Sequence, residues 1–558
     1  MIETTVSRTA NPANPARPVV PIARWGMVVD LNRCVGCQTC TIACKQANDT
    51  TPGVQWRKVI DVEQGKFPDV ERFFVVTGCQ HCAEPPCVPV CPTGATRQRE
   101  DGLVTIDYDV CIGCAYCVVS CPYQARTIEH DPQGYYGAQT RQEQATAHPE
   151  RAGVAQKCTF CQTRIDAGIA KGLVPGVDLE ATPACAASCI SQAIKFGDFN
   201  DDESIVSQLL RTQPSLQMNE ELGTNPQIRY LYTTPAVPGR DTSAQPDPDE
   251  EERLADPQNP LVGAFQKFWD WRAAMNWIFG GAGTGLAIFA GVLAGNGLIT
   301  QDAGRGLVAL AAALIATGLF FVFLKIGRKL RFWRAVSRPQ TSWMTRELYV
   351  ALLFFPAVLA TLLAPRRELF LLVSLLGFAF LYCQAQILHR ARGIPVWRAP
   401  RIPGIIVASG LLEGWGVLMI ALSLAGIKPP GQLFGAGLGA LVITGLLWRS
   451  YVGSARANGV PPLARAVLER VAPRVHMIGH VAPAALIAFA WMVPSMQHLA
   501  LLLAGAMAVA GGAFWKFVVI VRASFTQGFS LKQVPHRGSG DRAAPPRMAG
   551  DSSRPAST

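Results

Sequence analysis

Arg33 to Cys44 read RCVGCQTCTIAC, placing Cys34, Cys37, Cys40 and Cys44 at intervals of three, three and four residues. Thiols this crowded serve disulfides, structural zinc or an iron–sulfur cluster. Zinc usually takes cysteines in pairs. CxxCxxCxxxC instead matches the ferredoxin run, in which three thiolates wrap one cubane and the fourth reaches a neighbouring one.

The run is not alone. Cys79, Cys82, Cys87 and Cys91 give CxxCxxxxCxxxCP, and Cys111, Cys114, Cys117 and Cys121 give CxxCxxCxxxCP. A stretched copy follows in Cys158, Cys161, Cys185 and Cys189, so sixteen of the 17 cysteines fall into four groups of four. That is the number needed to ligate four [4Fe–4S] clusters. Because the fourth cysteine of each run crosses over, order and spacing pair the two middle runs with each other and the two outer runs with each other. The expected ligand sets are Cys79, Cys82, Cys87 with Cys121; Cys111, Cys114, Cys117 with Cys91; Cys34, Cys37, Cys40 with Cys189; and Cys158, Cys161, Cys185 with Cys44.

Four clusters in one domain form a wire for electrons. Residues 1–235 carry no Gly-rich dinucleotide fingerprint, no GxSxG elbow and no HExxH. His81 and His130 are the histidines nearest the clusters and read as surface or supporting hydrogen-bond partners.

Beyond the wire the chain changes character. TTPAVPGRDTSAQPDPDEEERLADPQNP (233–260) is rich in proline and acid and reads as a flexible linker. Eight stretches after it are apolar enough to span a bilayer, at 277–299, 307–327, 348–364, 369–388, 404–425, 433–448, 477–494 and 499–521. The expected organisation is a polar tail (1–24), an α+β ferredoxin-like four-cluster domain (25–235), a linker (236–262), an all-α eight-helix transmembrane bundle (263–525) and a disordered tail (526–558).

The net charge of +11 could suggest nucleic acid, but its location argues otherwise. Six basic residues lie between the second and third spans, four between the fourth and fifth, and five between the sixth and seventh, all on one side, whereas the opposite loops hold four. Positive loops stay in the cytoplasm. The expected location is the bacterial inner (cytoplasmic) membrane, with the cluster domain and both termini facing the cytoplasm. The first thirty residues agree, having neither an apolar signal core nor a twin arginine.

CQHCAEPPCVPVCPTGA (79–95) and REDGLVTIDYDVCIGCAYCVVSCPY (99–123) resemble the four-cluster iron–sulfur subunit of the dimethyl sulfoxide reductase group of molybdoenzymes. RFWRAVSRPQTSWMTRELYVALLFF (331–355) and LYCQAQILHRARGIPVWRAPRIPG (381–404) are similar to that group's membrane anchor. The chain therefore looks like a fusion of two subunits. The resemblance implies a catalytic partner carrying molybdenum bis(pterin guanine dinucleotide), and two-electron exchange between the anchor and a quinone. With the loop charges, it points to a cytoplasm-facing sulfite:quinone oxidoreductase, with a DMSO-type terminal reductase as the alternative.

Glu347, opening the third span, matches the family position where an acidic residue contacts quinone; its rival reading is a surface pair with Arg346. Lys325 stands where relatives show histidine. Glu413, inside the fifth span, is a functional candidate because an intramembrane acid is costly. His389, His476 and His480 sit near the basic side, and Cys383 reads as a core residue. Gly291 with Gly295, and Gly435 with Gly439, suit close helix packing. A redox-driven transporter would need paired ionisable residues near mid-membrane, and Glu413, Lys325 and Lys516 are the spans' interior charges.

Overall fold

The computed structural model describes residues 22–66, 69–131, 136–232 and 255–529. Most of the expected N-terminal tail, linker and C-terminal tail thus lies outside the described residues.

The first part is built on a four-stranded sheet. β1 (Trp25–Asp30) leads into the first cysteine run, β2 (Ile194–Asp198) follows the last cysteine, and β3 (Ser215–Leu216) and β4 (Ile228–Leu231) close the domain. The order is β2-β1-β4-β3, with β1 antiparallel to β2 and parallel to β4. Met27 and Val29 are buried on one face and Val28 on the other, so both faces of β1 are covered. Between the cysteine runs the chain returns on itself through antiparallel pairs: Arg57–Lys66 with Asp69–Gly78, Thr96–Gln98 with Val104–Ile106, and Arg126–Ile128 with Ala155–Lys157. Short strands and short helices around four thiol groups make this a ferredoxin-like 4Fe-4S domain.

Eight long apolar helices follow: α1 (Trp271–Gly295), α2 (Gln301–Lys325), α3 (Trp343–Leu363), α4 (Arg367–Arg390), α5 (Ile402–Leu424), α6 (Gln432–Gly453), α7 (Pro462–Met492) and α8 (Pro494–Arg522). α1 and α5 are the most enclosed. Small residues explain their place: a Cβ on Gly285 would lie 2.0 Å from the Gly410 carbonyl oxygen, so these two backbones touch. Gly291 likewise packs on α4, where a Cβ would lie 2.3 Å from Phe370 O, but Gly435 and Gly439 have nothing within 4 Å and do not form the expected packing face.

Most helices extend about five residues beyond the apolar stretches at one end, and α7 extends furthest. α1 begins at Trp271, and α7 begins fifteen residues before the apolar stretch, at Pro462. Pro462–His476 is amphipathic, burying Ala464, Leu468, Val471 and Val475 while Arg465, Glu469, Arg470 and Arg474 lower its average hydropathy. A single π turn at Met477–Val481 joins it to Ala482–Met492.

The two parts share one apolar core, running from Val90, Tyr116 and Val118 through Trp269, Ala385 and Trp397 to Val519. Polar contacts fix the seat. Arg328 donates to Ala152 O (2.8 Å) and Pro149 O (2.6 Å), Arg331 to Tyr108 O (2.8 Å), and Arg334 to Asp109 O. Ser342 Oγ donates to Val90 O at 3.0 Å, and Gly393 N to Val119 O at 3.1 Å. The end of the chain joins in: Thr526 N donates to Ala264 O (3.0 Å) and Phe529 N to Leu261 O (3.0 Å), so paired backbone continues to Phe529, beyond the boundary expected at 525.

Candidate functional site

Each cysteine run bends in the same way. Two residues after its first cysteine stands a residue in the left-handed region: Gly36 (φ 71°), His81 (φ 42°), Gly113 (φ 71°) and Phe160 (φ 54°). Glycine takes this conformation freely; His81 and Phe160 take it at a cost that surrounding structure must offset. Their rings stack at 3.9 Å, and His81 is fixed at both nitrogens, accepting from Val104 N at Nδ1 (3.0 Å) and donating from Nε2 to Cys158 O (3.1 Å). Burial, with Lys157 nearby, holds this imidazole neutral, its pKa well below the ordinary histidine range. His130 is exposed.

The thiols gather across runs. Cys44 is in electrostatic range of Cys158, Cys161 and Cys185, and Cys40 of Cys34, Cys189 and Cys185. Cys82 neighbours Cys79, Cys87 and Cys121, while Cys114 neighbours Cys111, Cys117 and Cys91. Cys44, Cys91 and Cys121 each lie near thiols of another run, and Cys189 lies near Cys40. No three His, Cys, Asp or Glu side chains among the described residues converge on a single-ion site. A four-iron body takes one thiolate per corner and does not require such convergence.

Three cations missed by the sequence reading test whether the thiols suit anionic clusters. Arg57 and Lys157 are 0% exposed and Arg126 4%. None forms an ion pair with a carboxylate among the described residues; Lys157 donates to Val104 O and Cys158 O (2.8 Å) and Arg126 to Thr96 Oγ1 (3.1 Å), and the acidic groups near all three are thiols. Arg57 faces Cys185, Cys158, Cys44 and Cys40, and its Nε and Nη1 have no acceptor among the described residues. Arg126 donates to Cys87 Sγ at 3.0 Å and lies near Cys117, Cys79 and Cys121. Lys157 lies near Cys79, Cys158 and Cys87. A buried cation is tolerable only beside negative charge. Ionised thiols supply it: against burial, which acts the other way, they raise the Arg57 and Arg126 guanidiniums above their ordinary pKa, and such thiolates are what a cluster would bind.

These cations also order the four groups. Arg57 lies between the Cys34 and Cys158 groups, Lys157 between the Cys158 and Cys79 groups, and Arg126 between the Cys79 and Cys111 groups. The row ends at the anchor, because the carbonyls of Cys111 and Cys114 accept from Arg331 (3.5 Å) and from Trp269 Nε1 (3.2 Å).

Beyond Cys114 stands an aromatic group where the iron–sulfur part meets the helices. Trp269 lies 5.4 Å from Tyr116, 5.4 Å from Trp277 and 5.5 Å from Trp397, with Lys325 Nζ 5.0 Å over its ring. Tyr116 donates to Ile387 O (2.8 Å) and is in electrostatic range of Cys114, Arg390 and Glu347. Burial pushes its phenol well above the usual range, so it stays protonated.

Glu347 is one turn inside α3, 5% exposed, and adjoins Asn276 of α1 and Gln384 of α4. It does not pair with Arg346, which donates to Pro339 O (2.8 Å) and Gln340 O (2.7 Å) and stacks on Trp343. Glu347 Oε1, Asn276 Oδ1 and Gln384 Oε1 are buried acceptors without a donor among the described residues. Such a trio suits a ligand that brings hydroxyl hydrogens. A lone amide in a span was the available signal for Asn276 and Gln384. Beside this site a cleft of about 520 Å³ opens between Glu84–Val90 and Trp343, Arg346, Arg390 and Arg392, with Tyr116 in its lining.

The remaining candidates disperse. His476 and His480 lie 5.6 Å apart, and His480 Nδ1 engages Val475 O at 3.2 Å. Cys383 is buried, and His389 Nδ1 is a buried nitrogen without a hydrogen-bond partner among the described residues. Glu413 is joined to Lys516 at 2.7 Å.

Comparison with known proteins bears on the first part of the chain. A model of the 4Fe-4S dicluster domain matches residues 70–135. The matching selenate reductase component from Mesobacillus selenatarsenatis is 40% identical over 224 residues, which is 37% of this chain and 72% of that protein. The chain belongs to this 4Fe-4S iron–sulfur subunit family. Other family members include the iron–sulfur subunit of arsenate respiratory reductase from Shewanella sp. (36% identical over 236 residues, 37% of this chain and 96% of that protein). Another is the iron–sulfur cluster-binding subunit of menaquinone reductase from Nitratidesulfovibrio vulgaris (37% identical over 227 residues, 37% of this chain and 88% of that protein). Membership makes the chain an electron-transfer subunit of an oxidoreductase complex that binds 4Fe-4S clusters. The eight helices add a membrane part to the 4Fe-4S family portion.

Proposed function

We propose that this chain carries electrons between a molybdopterin-containing catalytic partner and membrane quinone. Sixteen cysteines hold four [4Fe–4S] clusters in the sets expected from their spacing, and each bound cluster supplies one reversible electron. Cys34, Cys37, Cys40 and Cys189 lie at the end remote from the anchor, facing the partner, while Cys91, Cys111, Cys114 and Cys117 serve the membrane end. Arg57, Lys157 and Arg126 screen successive clusters from one another. Quinone binds beside Glu347, Asn276 and Gln384, and Glu347 exchanges its proton.

The observation that carries this reading is continuity: Trp269 donates to Cys114 O at 3.2 Å and lies 5.4 Å from Tyr116, whose hydroxyl donates to Ile387 O one turn beyond Gln384, the neighbour of Glu347. Relatives named for selenate and arsenate reduction favour electron flow from quinol towards an oxyanion, whereas the relative named a menaquinone reductase favours electron delivery into a quinone. Sulfite oxidation is the second reading, and the basic loops favour it. Membrane vesicles containing the intact complex separate them. Sulfite-dependent quinone reduction supports the second, and quinol oxidation driven by DMSO or an oxyanion supports the first.

Glu347→Gln tests the quinone site. Quinone-linked turnover falls by about two orders of magnitude, the lower range for a positioned general acid or base, while electron flow to a soluble dye persists. Equal loss in both assays sinks the assignment.

A further inference from the structure

Glu413 and Lys516 are the pair of charges that the proposed electron path leaves unused. Glu413 is at the middle of α5 and Lys516 near the end of α8, and their side chains are 1% and 0% exposed. Lys516 Nζ donates to Glu413 Oε2 at 2.7 Å and to Trp277 O of α1 at 2.8 Å. Glu413 Oε1 has no donor among the described residues.

Stability does not account for this pair. Two buried charges forfeit hydration that their attraction repays poorly, and apolar side chains of similar size often serve as well or better. The fold also keeps space clear around both heads. A Cβ on Gly281 would stand 2.2 Å from Lys516 Nζ, and one on Gly512 would stand 2.2 Å from Glu413 Oε1.

The pair is also tied to the Glu347 site through one turn of α1. Trp277 receives Lys516 on its carbonyl and donates from its indole to Gln384 O at 3.0 Å. Gln384 Nε2 in turn donates to Asn276 O at 3.1 Å, and both amides adjoin Glu347. Adjacent residues of α1, Asn276 and Trp277, therefore touch the two carboxylate sites.

We propose that the Glu413–Lys516 pair is a proton-exchange site serving the quinone pocket, so that electron transfer through this anchor moves a proton within the bundle. This rests on the quinone reading of Glu347. Reduction of a quinone takes two electrons from the clusters and two protons, giving the quinol. Glu347 delivers one proton, the Glu413–Lys516 pair delivers the other, and both sites recover their protons from water. When quinol is oxidised the same protons and electrons travel in reverse.

The test uses the intact complex with its catalytic partner, assayed with quinone, with a soluble dye, and by redox-induced infrared difference spectroscopy. Glu413→Gln slows quinone turnover about tenfold, less than the roughly hundredfold contribution of a direct general acid or base, and removes a carboxyl band that Glu347→Gln retains. The double variant Glu413→Gln/Lys516→Met, which replaces both charges with neutral groups, stays slow. Recovery of the wild-type rate in that double variant overturns the proposal by showing a structural pair. Wild-type turnover and an unchanged spectrum in Glu413→Gln, with Glu347→Gln inactive towards quinone, also overturn it while leaving the quinone pocket standing. Wild-type quinone turnover in Glu347→Gln instead removes the pocket, and the Glu413 band then reports on proton exchange independently.

Discussion

Arg57 shows how much of an iron–sulfur site is made of groups that bind no iron. It lies near thiols of two groups, its Nε and Nη1 have no acceptor among the described residues, and its Nη2 reaches Met27 Sδ (3.4 Å) and Cys158 Sγ (4.0 Å). In Arg57→Met the thiolates lose its positive charge. Removing one member of a buried charge set costs about 3–5 kcal/mol, and a negative cluster becomes harder to reduce. Thermal unfolding and a spectroscopic redox titration should show a lower melting temperature and a more negative potential. The crossing of Cys44 gives a second expectation at this scale, because its thiol neighbours are Cys158, Cys185 and Cys161. Cys44→Ser damages the cluster built on Cys158, seen as one altered cubane signal; loss of the Cys34 cluster alone would refute the assignment.

Among elements, the loop joining α2 to α3 does the most to seat the wire. A Cβ on its Gly327 would lie 2.1 Å from Gly153 O, and one on Gly113, whose φ is 71°, would lie 3.1 Å from Gly327 Cα and 2.0 Å from Gly153 O. Gly113→Ala adds a left-handed strain of about 1–2 kcal/mol to that clash. Quinone turnover falls and proteolysis between the two parts quickens. Gly172→Ala, with φ 79° but nothing within 4 Å, carries the strain alone and serves as the control. This seat was hidden in the sequence, where the arginines of the loop read as topology signals. The cysteine runs were legible because ligation imposes fixed spacing within a short stretch. Glu347 was legible from the resemblance, but Asn276 and Gln384 come from distant helices and leave no periodic trace. α7 was read short because its first half mixes a buried stripe with Arg465, Glu469, Arg470 and Arg474, which a window average cannot separate.

For the whole molecule, orientation is the open choice, and the docking contacts change its arithmetic. Arg328, Arg331 and Arg334 bind carbonyls of the iron–sulfur part and would be needed on either side of the membrane. The topology argument then rests on the basic residues following α4 and α6, which still outnumber those of the opposite loops. We expect a fluorescent protein fused at Thr558 to glow in the cytoplasm of cells expressing the complete complex. Activity of a periplasmic phosphatase fused there would reverse the orientation and favour an exported reductase.

The seat of the wire is assembled from pieces that leave the ribosome far apart in time. Residues 22–232 emerge first, yet the surfaces that receive them include Trp269, Arg328–Arg334, Gly393 and finally Gly528 and Phe529, which meet Asn219 and the core of the iron–sulfur part. At 5–20 residues per second, roughly 15–60 s separate completion of the cysteine-bearing part from synthesis of its last contact. During that interval the carbonyls of Cys111 and Cys114 lack the donors that Arg331 and Trp269 later bring to them. We expect cluster insertion to be easiest then, so that a pulse of iron given after the chain is complete fills this group more slowly than one given during synthesis.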